Sequence, residues 1–466
     1  MGTNPALLQV VIQHPDDDAP RLAYADWLDA NGDPERAEFI RIQCALARSP
    51  EGDPSVGSWN KREEALLRAH AHEWQADFAP WTTQCRFHRG FVCCVAVDWQ
   101  KLLDRADDLS RRAPIQVLRI TGEEGTIPPD RLLAWAQEVA ARPELRQLTC
   151  LDLTGLAYGE PVLRVLLSSP FVKGLTRLLF SDEDCQLSTA QVLARCSHLD
   201  RIKELDFLGF EAGELGDEGV AVLSACVHLH NLEHLDLRDN SLGPGAMRAL
   251  AQSPHLKHIR SLYLGDGHGT PNEVGPEGAR WLATSPNYSH LAVLHLDFND
   301  IGNAGLGYLA RSPSLLHLRS LSLVSNGLDG EGIQSLADDG VRWQMDKLDL
   351  SCNEIGDRGV EVLARSRRFQ RMRRLSLAGN GIGPAGVRSL ATAPWLSQTE
   401  ELRLSSNPLG QEGVNLLLQA AFQSLSRLRL DSYGFNPAQK QALQARFGDR
   451  LDLEMLVLPS MDAGLH

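Results

Sequence analysis

A short phrase that recurs five times between Leu291 and Gly410 constrains the fold more than any other feature of the chain. Each copy carries leucines at alternate positions and then an asparagine, as in MDKLDLSCNEIG and MRRLSLAGNGIG. The asparagines follow one another at a constant step of 27 residues: Asn299, Asn326, Asn353, Asn380 and Asn407. A fixed period of this length indicates stacked repeats, each too small to bury its own apolar face.

Each copy predicts one strand followed by one helix. Because side chains alternate along a strand, Leu294 and Leu296 point to one face while His295 points to the other. The segment between copies opens with glycine and places apolar residues such as Val360 and Leu363 at helical spacing. Stacked copies therefore predict an inner parallel sheet and an outer layer of helices.

The pattern L-x-x-L-x-L-x-x-N is that of a leucine-rich repeat, and the 27-residue unit with a full helix resembles the ribonuclease-inhibitor type. This resemblance spans roughly Ile115 to Leu430 and implies an α/β horseshoe solenoid. Twelve copies are marked by one strand leucine each: Leu118, Leu151, Leu178, Leu205, Leu235, Leu262, Leu294, Leu321, Leu348, Leu375, Leu402 and Leu428.

The recurring asparagines predict a structural ladder. Each lies where the chain turns out of the strand, and its amide can satisfy backbone groups of that bend and of the neighbouring copy. The predicted members are Asn240, Asn299, Asn326, Asn353, Asn380 and Asn407. Other copies hold different residues in this slot, namely Glu123, Leu156, Glu183 and Phe210.

The N-terminal part predicts a small helical bundle before the repeats. The stretch DDDAPRLAYADWLDANGDPERAEFIRIQ carries helix start and stop signals around two apolar faces. It resembles the bacterial repeat-companion domain over about Ala6 to Ala47. The resemblance implies a bacterial repeat protein with a small N-terminal α-helical domain, and it implies no activity.

The remaining segments complete the predicted domain organisation. A linker helix is expected from Lys61 to about Phe78. The strand FVCCVAV and a helix from Trp99 to Arg112 are expected to cap the start of the repeats, and a helix from Pro437 to Phe447 is expected to close their end. The predicted divisions are a helical domain (1–50), a linker helix with an N-terminal cap (51–113), the solenoid (114–434), a C-terminal cap (435–458) and a tail (459–466).

Composition excludes several functional classes. A formal net charge of −14 argues against nucleic acid or an anionic membrane as partner, because both require a basic surface. Nine cysteines without a CxxC motif predict free thiols in a reducing compartment and no metal. The N-terminus lacks the basic segment of a signal peptide, and no stretch has the apolar length of a membrane span. We therefore expect a cytoplasmic chain without a cofactor, and its oligomeric state stays open.

Binding residues are expected on the concave side of the sheet, where one slot in successive strands forms a column with ~4.8 Å spacing. Across three such columns, the zone from Glu204 to Asp297 is acidic and the zone from Arg374 to Arg429 is mainly basic. A solvated face with mixed charges is the alternative interpretation. The predicted protein-binding residues are Glu204, Asp206, His234, Asp236, Arg238, Tyr263, His295, Asp297, Asp349, Arg374, Arg403 and Arg429.

Longer copies add predicted contacts at the rim, because loops carried on a rigid scaffold are favoured contact sites. The three insertions are GEEGTIPP, GFEAGELG and GDGHGTPNEV, and tolerated insertion without function is the alternative.

The leading functional hypothesis is a non-enzymatic scaffold that binds a protein through the concave sheet and the rim loops. A second is a regulator of another enzyme, resembling a GTPase activator, with Arg119 or Arg238 as its arginine. A third is a metal-dependent hydrolase built on two histidine–aspartate pairs, to which insertion residues add ligands. Because the pairs lie two strands apart, a solvated surface explains them better. The residues of this third hypothesis are His234, Asp236, His295, Asp297, Asp266 and His268.

Overall fold

A computed structural model describes residues 3–50, 53, 55–122, 128–154, 158–181, 186–209, 215–265, 271–337, 343–366, 369–431 and 435–454. The chain divides into two compact units, Met1–Asp184 with Cys196–Ile202, and Cys185–Arg195 with Lys203–His466. Several predictions fall outside the described residues: most of the three rim insertions with Asp266 and His268, the slot residues Glu123, Leu156, Glu183 and Phe210, and the tail.

The first unit combines the N-terminal helices with the first strands. Its helices are α1 (Pro5–Gln13), α2 (Asp18–Ala30), α3 (Pro34–Arg48), α4 (Val56–Trp74), α5 (Trp99–Arg112), α6 (Pro129–Ala140) and α7 (Gly159–Ser168). Its strands are β1 (Gln84–His88), β2 (Phe91–Asp98), β3 (Val117–Thr121), β4 (Cys150–Asp152) and β5 (Arg177–Ser181). Strands β2 to β5 pair in parallel in chain order, whereas β1 pairs antiparallel with β2.

The hairpin of β1 and β2 packs on the N-terminal helices. The guanidinium of Arg36 lies 4.6 Å from the Trp74 ring and 5.0 Å from the Phe87 ring, and it donates a hydrogen bond to the carbonyl oxygen of Gly90. Phe91 meets Tyr24 edge-on at 5.3 Å between ring centroids. Strand β2 was predicted from the sequence, whereas β1 was not, because its short polar sequence has no distinctive pattern.

The second unit contains the regular repeats. Its helices are α8 (Leu187–Arg195), α9 (Gly216–Ser224), α10 (Pro244–Gln252), α11 (Gly275–Thr284), α12 (Gly302–Ala310), α13 (Gly330–Ala337), α14 (Gly356–Arg365), α15 (Pro384–Ala391), α16 (Gly410–Gln419) and α17 (Pro437–Phe447). Its strands are β6 (Glu204–Leu208), β7 (His234–Asp236), β8 (Ser261–Tyr263), β9 (Val293–His295), β10 (Ser320–Ser322), β11 (Lys347–Asp349), β12 (Arg374–Ser376), β13 (Glu401–Arg403), β14 (Arg427–Asp431) and β15 (Leu451–Glu454).

Strands β6 to β15 pair in parallel and in chain order, so equivalent residues of successive copies lie side by side. The marker leucines are buried, for example Leu294 and Leu348. Each helix buries an apolar face that includes residues such as Val360 and Leu363. The predicted α/β fold of leucine-rich repeats with N-terminal helices is confirmed. None of the described helices is long and apolar enough to cross a membrane.

The asparagine side chains connect each copy to the one before it. The Oδ1 of Asn353 accepts the backbone N–H groups of Asn326 at 2.9 Å and Leu328 at 3.0 Å. Its Nδ2 donates to the carbonyl oxygens of Leu323 and Leu350, both at 2.9 Å. One buried amide thus satisfies backbone groups of two copies at the bend after the strand.

The same pattern repeats along the second unit, with one member that the sequence analysis did not include. Asn272 occupies the ladder position between Asn240 and Asn299. Its Oδ1 accepts the N–H of Asn240 at 3.1 Å, and its Nδ2 donates to Leu237 and Leu264. The longer copy shifts Asn272 away from the usual spacing, which concealed it in the sequence.

We expect Asn353→Ala to lower the free energy of unfolding by about 1–3 kcal/mol, because the buried backbone groups that it serves lose their partners. We expect Leu350→Ala to lower it by about 2–5 kcal/mol, because the change leaves a cavity in the stack. Urea unfolding followed by circular dichroism measures both. The matched control is Glu354→Ala at an exposed neighbouring position, for which we expect a change within about 0.5 kcal/mol. An Asn353 variant as stable as this control would contradict the structural role of the ladder.

Candidate protein-binding surface

The candidate site is the face of the sheet in the second unit that points away from the buried leucines, here called the open face. Two columns of side chains run across it in strict register. The first contains Glu204, His234, Ser261, Val293, Ser320, Lys347, Arg374, Glu401 and Arg427. The second contains Asp206, Asp236, Tyr263, His295, Ser322, Asp349, Ser376, Arg403 and Arg429. Arg238 and Asp297 each lie two residues after a member of the second column, Asp236 and His295 respectively.

At the acidic end of the open face, the carboxylate of Asp236 is bound by Arg238. The Nε of Arg238 donates to Asp236 at 2.9 Å and one terminal nitrogen donates to Oδ2 at 2.6 Å. The Asp236 side chain is 13% exposed and that of Arg238 34%. This two-pronged ion pair offsets most of the charge that the sequence assigns to Asp236.

Asp206 lies next to Asp236 in register on the adjacent strand. Burial, together with the nearby Asp236 carboxylate, raises the pKa of Asp206 to about 7. One of its carboxyl oxygens, Oδ1, is buried and has no hydrogen-bond partner among the described residues. Asp206 is thus an acid that is only partly ionised near neutral pH.

Tyr263, His295 and Asp297 form a packed group on neighbouring strands. The rings of Tyr263 and His295 meet edge-on at 4.9 Å. The Oδ1 of Asp297 accepts hydrogen bonds from the Ser322 hydroxyl at 2.5 Å and the Val324 N–H at 2.8 Å. Burial raises the pKa of Asp297 and lowers the pKa of His295. The Asp297 carboxylate is thus held by hydrogen bonds to the next copy.

At the basic end, the open face forms a hollow of about 260 Å³, here called the basic hollow. Its charged lining residues, together with His295, are Lys347, Asp349, Arg374, Glu401, Arg403, Arg427 and Arg429. Three of its arginines face carboxylates, at 3.7 Å for Arg374–Glu401, 3.0 Å for Arg403–Glu454 and 3.5 Å for Arg429–Asp452.

Two cations of the basic hollow, Lys347 and Arg427, were not among the predicted binding residues. Neither has a carboxylate partner within 4 Å among the described residues, whereas the predicted Arg374, Arg403 and Arg429 each have one. Both positions belong to the first column of the open face, so the repeat alignment contained the signal. The sequence could not show which cations are left unpaired.

Phe298 is a further candidate that the sequence analysis missed. Its side chain is 46% exposed and its φ is 58°, in the left-handed region that is costly for a bulky residue. The residue before the ladder asparagine is smaller or polar in the other regular copies: Asp239, Ser325, Cys352, Gly379 and Ser406. Alignment of the copies on their asparagines would have singled out Phe298. An exposed strained aromatic residue is a reason to examine function.

The structure also places the residues of the two alternative hypotheses. His234 and Asp236 are separated from His295 and Asp297 by strand β8, and no three potential metal ligands are grouped closely enough to hold an ion within the described part of the chain. In the first unit, a terminal nitrogen of Arg119 lies 3.5 Å from the carbonyl oxygen of Thr154.

Comparison with known proteins agrees with this architecture. Residues 228–251, 289–310, 314–337, 345–364 and 371–391 match the family described as Leucine Rich repeat, so these five segments of the second unit are leucine-rich repeats. A search of curated proteins gave no match.

The solved structures that are similar to this chain include the following two. One is an internalin (inlF) from Listeria monocytogenes, with 15% identity and a TM-score of 0.42, covering 82% of this chain and 94% of the internalin. The other is from the complex of Rad7 and Elc1 in yeast, with 13% identity and a TM-score of 0.44, covering 90% of this chain and 98% of the yeast chain.

The raised pKa of Asp206 predicts a pH-dependent effect of Asp206→Asn. The folded state holds the proton more tightly than the unfolded state, so ionisation of Asp206 destabilises the fold increasingly as pH rises from about 4 to about 7. Removal of the charge should therefore raise the urea midpoint more at about pH 8 than at about pH 5. An equal gain at the two pH values would show that Asp206 does not titrate in this range.

Proposed function

We propose that this chain is a non-enzymatic scaffold that binds a protein partner through the open face of its second unit. The observation that carries the proposal is the separation of roles along each copy. Leucines and asparagines hold the stack together, while the open-face positions vary and project side chains in register from a rigid sheet. Leucine-rich repeats are generally a protein-binding fold, and such a surface supports many different partners.

The proposed contact set keeps the twelve predicted residues and adds Lys347, Arg427 and Phe298. Tyr263 on the open face and the exposed Phe298, which follows Asp297 in the chain, are suited to act as aromatic anchors. The acidic zone from Glu204 to Asp297 contributes shape and hydrogen bonding more than net charge, since Asp236 is paired with Arg238, Asp206 has a raised pKa and Asp297 accepts two hydrogen bonds. Charge recognition falls mainly to the basic end.

Several finer assignments belong to the same proposal. The 27-residue step with a helix of eight to ten residues in the regular copies supports the ribonuclease-inhibitor type. We retain the division at 1–50, 51–113, 114–434, 435–458 and 459–466, with a repeat-companion domain at the N-terminus. A bacterial origin and a cytoplasmic location also remain predictions.

The geometry gives no specific support to the other two hypotheses. An activating arginine needs a guanidinium that can reach the phosphates of another protein. The Arg238 guanidinium is instead held by both oxygens of Asp236. The distribution of His234, Asp236, His295 and Asp297 over separate strands likewise offers no compact ligand set.

Site-specific photo-crosslinking tests the proposed function. With Tyr263 replaced by p-benzoylphenylalanine, irradiation in an extract of the native cells should attach a protein to the chain, because this residue lies at the acidic end of the open face, in register with His295. The matched control is the same replacement of Tyr308, which is 45% exposed on helix α12. Mass spectrometry identifies the attached protein. Attachment from Tyr308 alone, or equal attachment of the same protein from both positions, would contradict binding at the open face.

A further inference from the structure

We propose that the basic hollow binds an acidic segment of the protein partner, in an extended conformation and through its carboxylate side chains. This inference rests on the proposed function and specifies the chemistry of the partner. It concerns strands β10 to β14 of the second unit.

The charge of the basic hollow opposes that of the whole chain. The chain carries a formal net charge of −14, yet five cations and two carboxylates line the hollow. One of these two carboxylates, Asp349, already accepts hydrogen bonds from the Ser351 N–H at 2.9 Å and the Ser351 hydroxyl at 2.5 Å. A concentration of positive charge in a recess of an acidic protein attracts anionic groups.

The basic hollow contains hydrogen-bond donors that are available to a ligand. Lys347 and Arg427 lack a carboxylate partner among the described residues, and Arg427 is exposed. The Nε of Arg403 is buried without a hydrogen-bond partner in the same set of residues, although its terminal nitrogen binds Glu454. Because the Arg403 Nε is itself buried, the donors that a ligand can reach are Lys347 and Arg427.

The spacing of these cations fits an extended peptide. Lys347 and Arg374 are adjacent in register at ~4.8 Å, and Arg427 is two strands from Arg374 at ~9.6 Å. Side chains on one face of an extended chain recur every ~6.8 Å. Aspartate or glutamate at alternate positions of such a segment can therefore reach successive cations.

The distribution of acids around the hollow favours a peptide over a nucleic acid. Glu401 lies between Arg374 and Arg427 in register, while Glu454 faces Arg403. A phosphodiester backbone carries a charge at every nucleotide and would meet these carboxylates. A peptide can place neutral residues opposite them and carboxylates opposite the cations.

The test uses the full chain and a fluorescein-labelled peptide of alternating glutamate and serine, with binding measured by fluorescence anisotropy. We expect binding at low salt, about 0.05 M, that weakens at about 0.5 M because the charges are exposed. Lys347→Glu with Arg427→Glu should weaken binding at least about tenfold, since two attractions become repulsions. The control with the same change in net charge is Arg358→Glu with Arg365→Glu on helix α14, whose side chains are 76% and 79% exposed.

Unfolding midpoints of all variants are compared with the parent protein, so that loss of binding is read only from folded chains. Equal binding by the double variant and the parent would overturn the proposal, as would no peptide binding at low salt. Tighter binding of a single-stranded oligonucleotide of equal charge would also overturn it, in favour of a nucleic acid.

Photo-crosslinking from position 263 in the double variant separates this inference from the proposed function. Attachment in the double variant that equals attachment in the parent protein would overturn the acidic segment and leave the scaffold intact. Loss of attachment from the open face in the parent protein would overturn both.

Discussion

The asparagine ladder is the interaction on which the candidate site depends. Each buried amide, as at Asn353, joins the bend of its own copy to backbone groups of the preceding copy. The bends therefore stay in register, and the strands that precede them stay in register too. This register creates the columns of the open face. The hydrogen bonds of the asparagine ladder therefore fix the positions of Lys347, Arg374 and Arg427, although these three residues take no part in the ladder.

The same register gives the two ends of the open face different chemistry. At the acidic end, the charged groups are near enough to their neighbours to be neutralised, through the Arg238–Asp236 pair and the raised pKa of Asp206. At the basic end, carboxylates pair with Arg374, Arg403 and Arg429. Lys347 and Arg427 have no carboxylate partner among the described residues. The sequence predicts both an acidic zone and a basic zone on this surface. In the structure, the charges that remain available to a partner lie mainly at the basic end.

Most of the fold could be predicted because the repeated apolar positions of the sequence are the buried positions of each strand and helix. Leucine spacing identified the strands of the second unit, and helices such as α5 and α17 have the predicted bounds. Elements of the structure were missed where the 27-residue repeat period is interrupted or absent. The insertion before Asn272 displaced that ladder member, and the hairpin strand β1 belongs to no repeat. Local pattern reading cannot identify an element whose stability comes from distant aromatic contacts such as those of Arg36.

The sequence alone determined the leucine-rich repeat, the direction in which each strand residue points and the columns that these residues form. Periodicity suffices for this, because burial of leucines permits only one strand orientation. Only the tertiary structure decided which charges of the columns remain available, as for Arg427, which has no carboxylate partner among the described residues, compared with Arg403, which pairs with Glu454. Pairing and burial depend on distances between copies that are remote in sequence, and residue identity alone does not contain those distances.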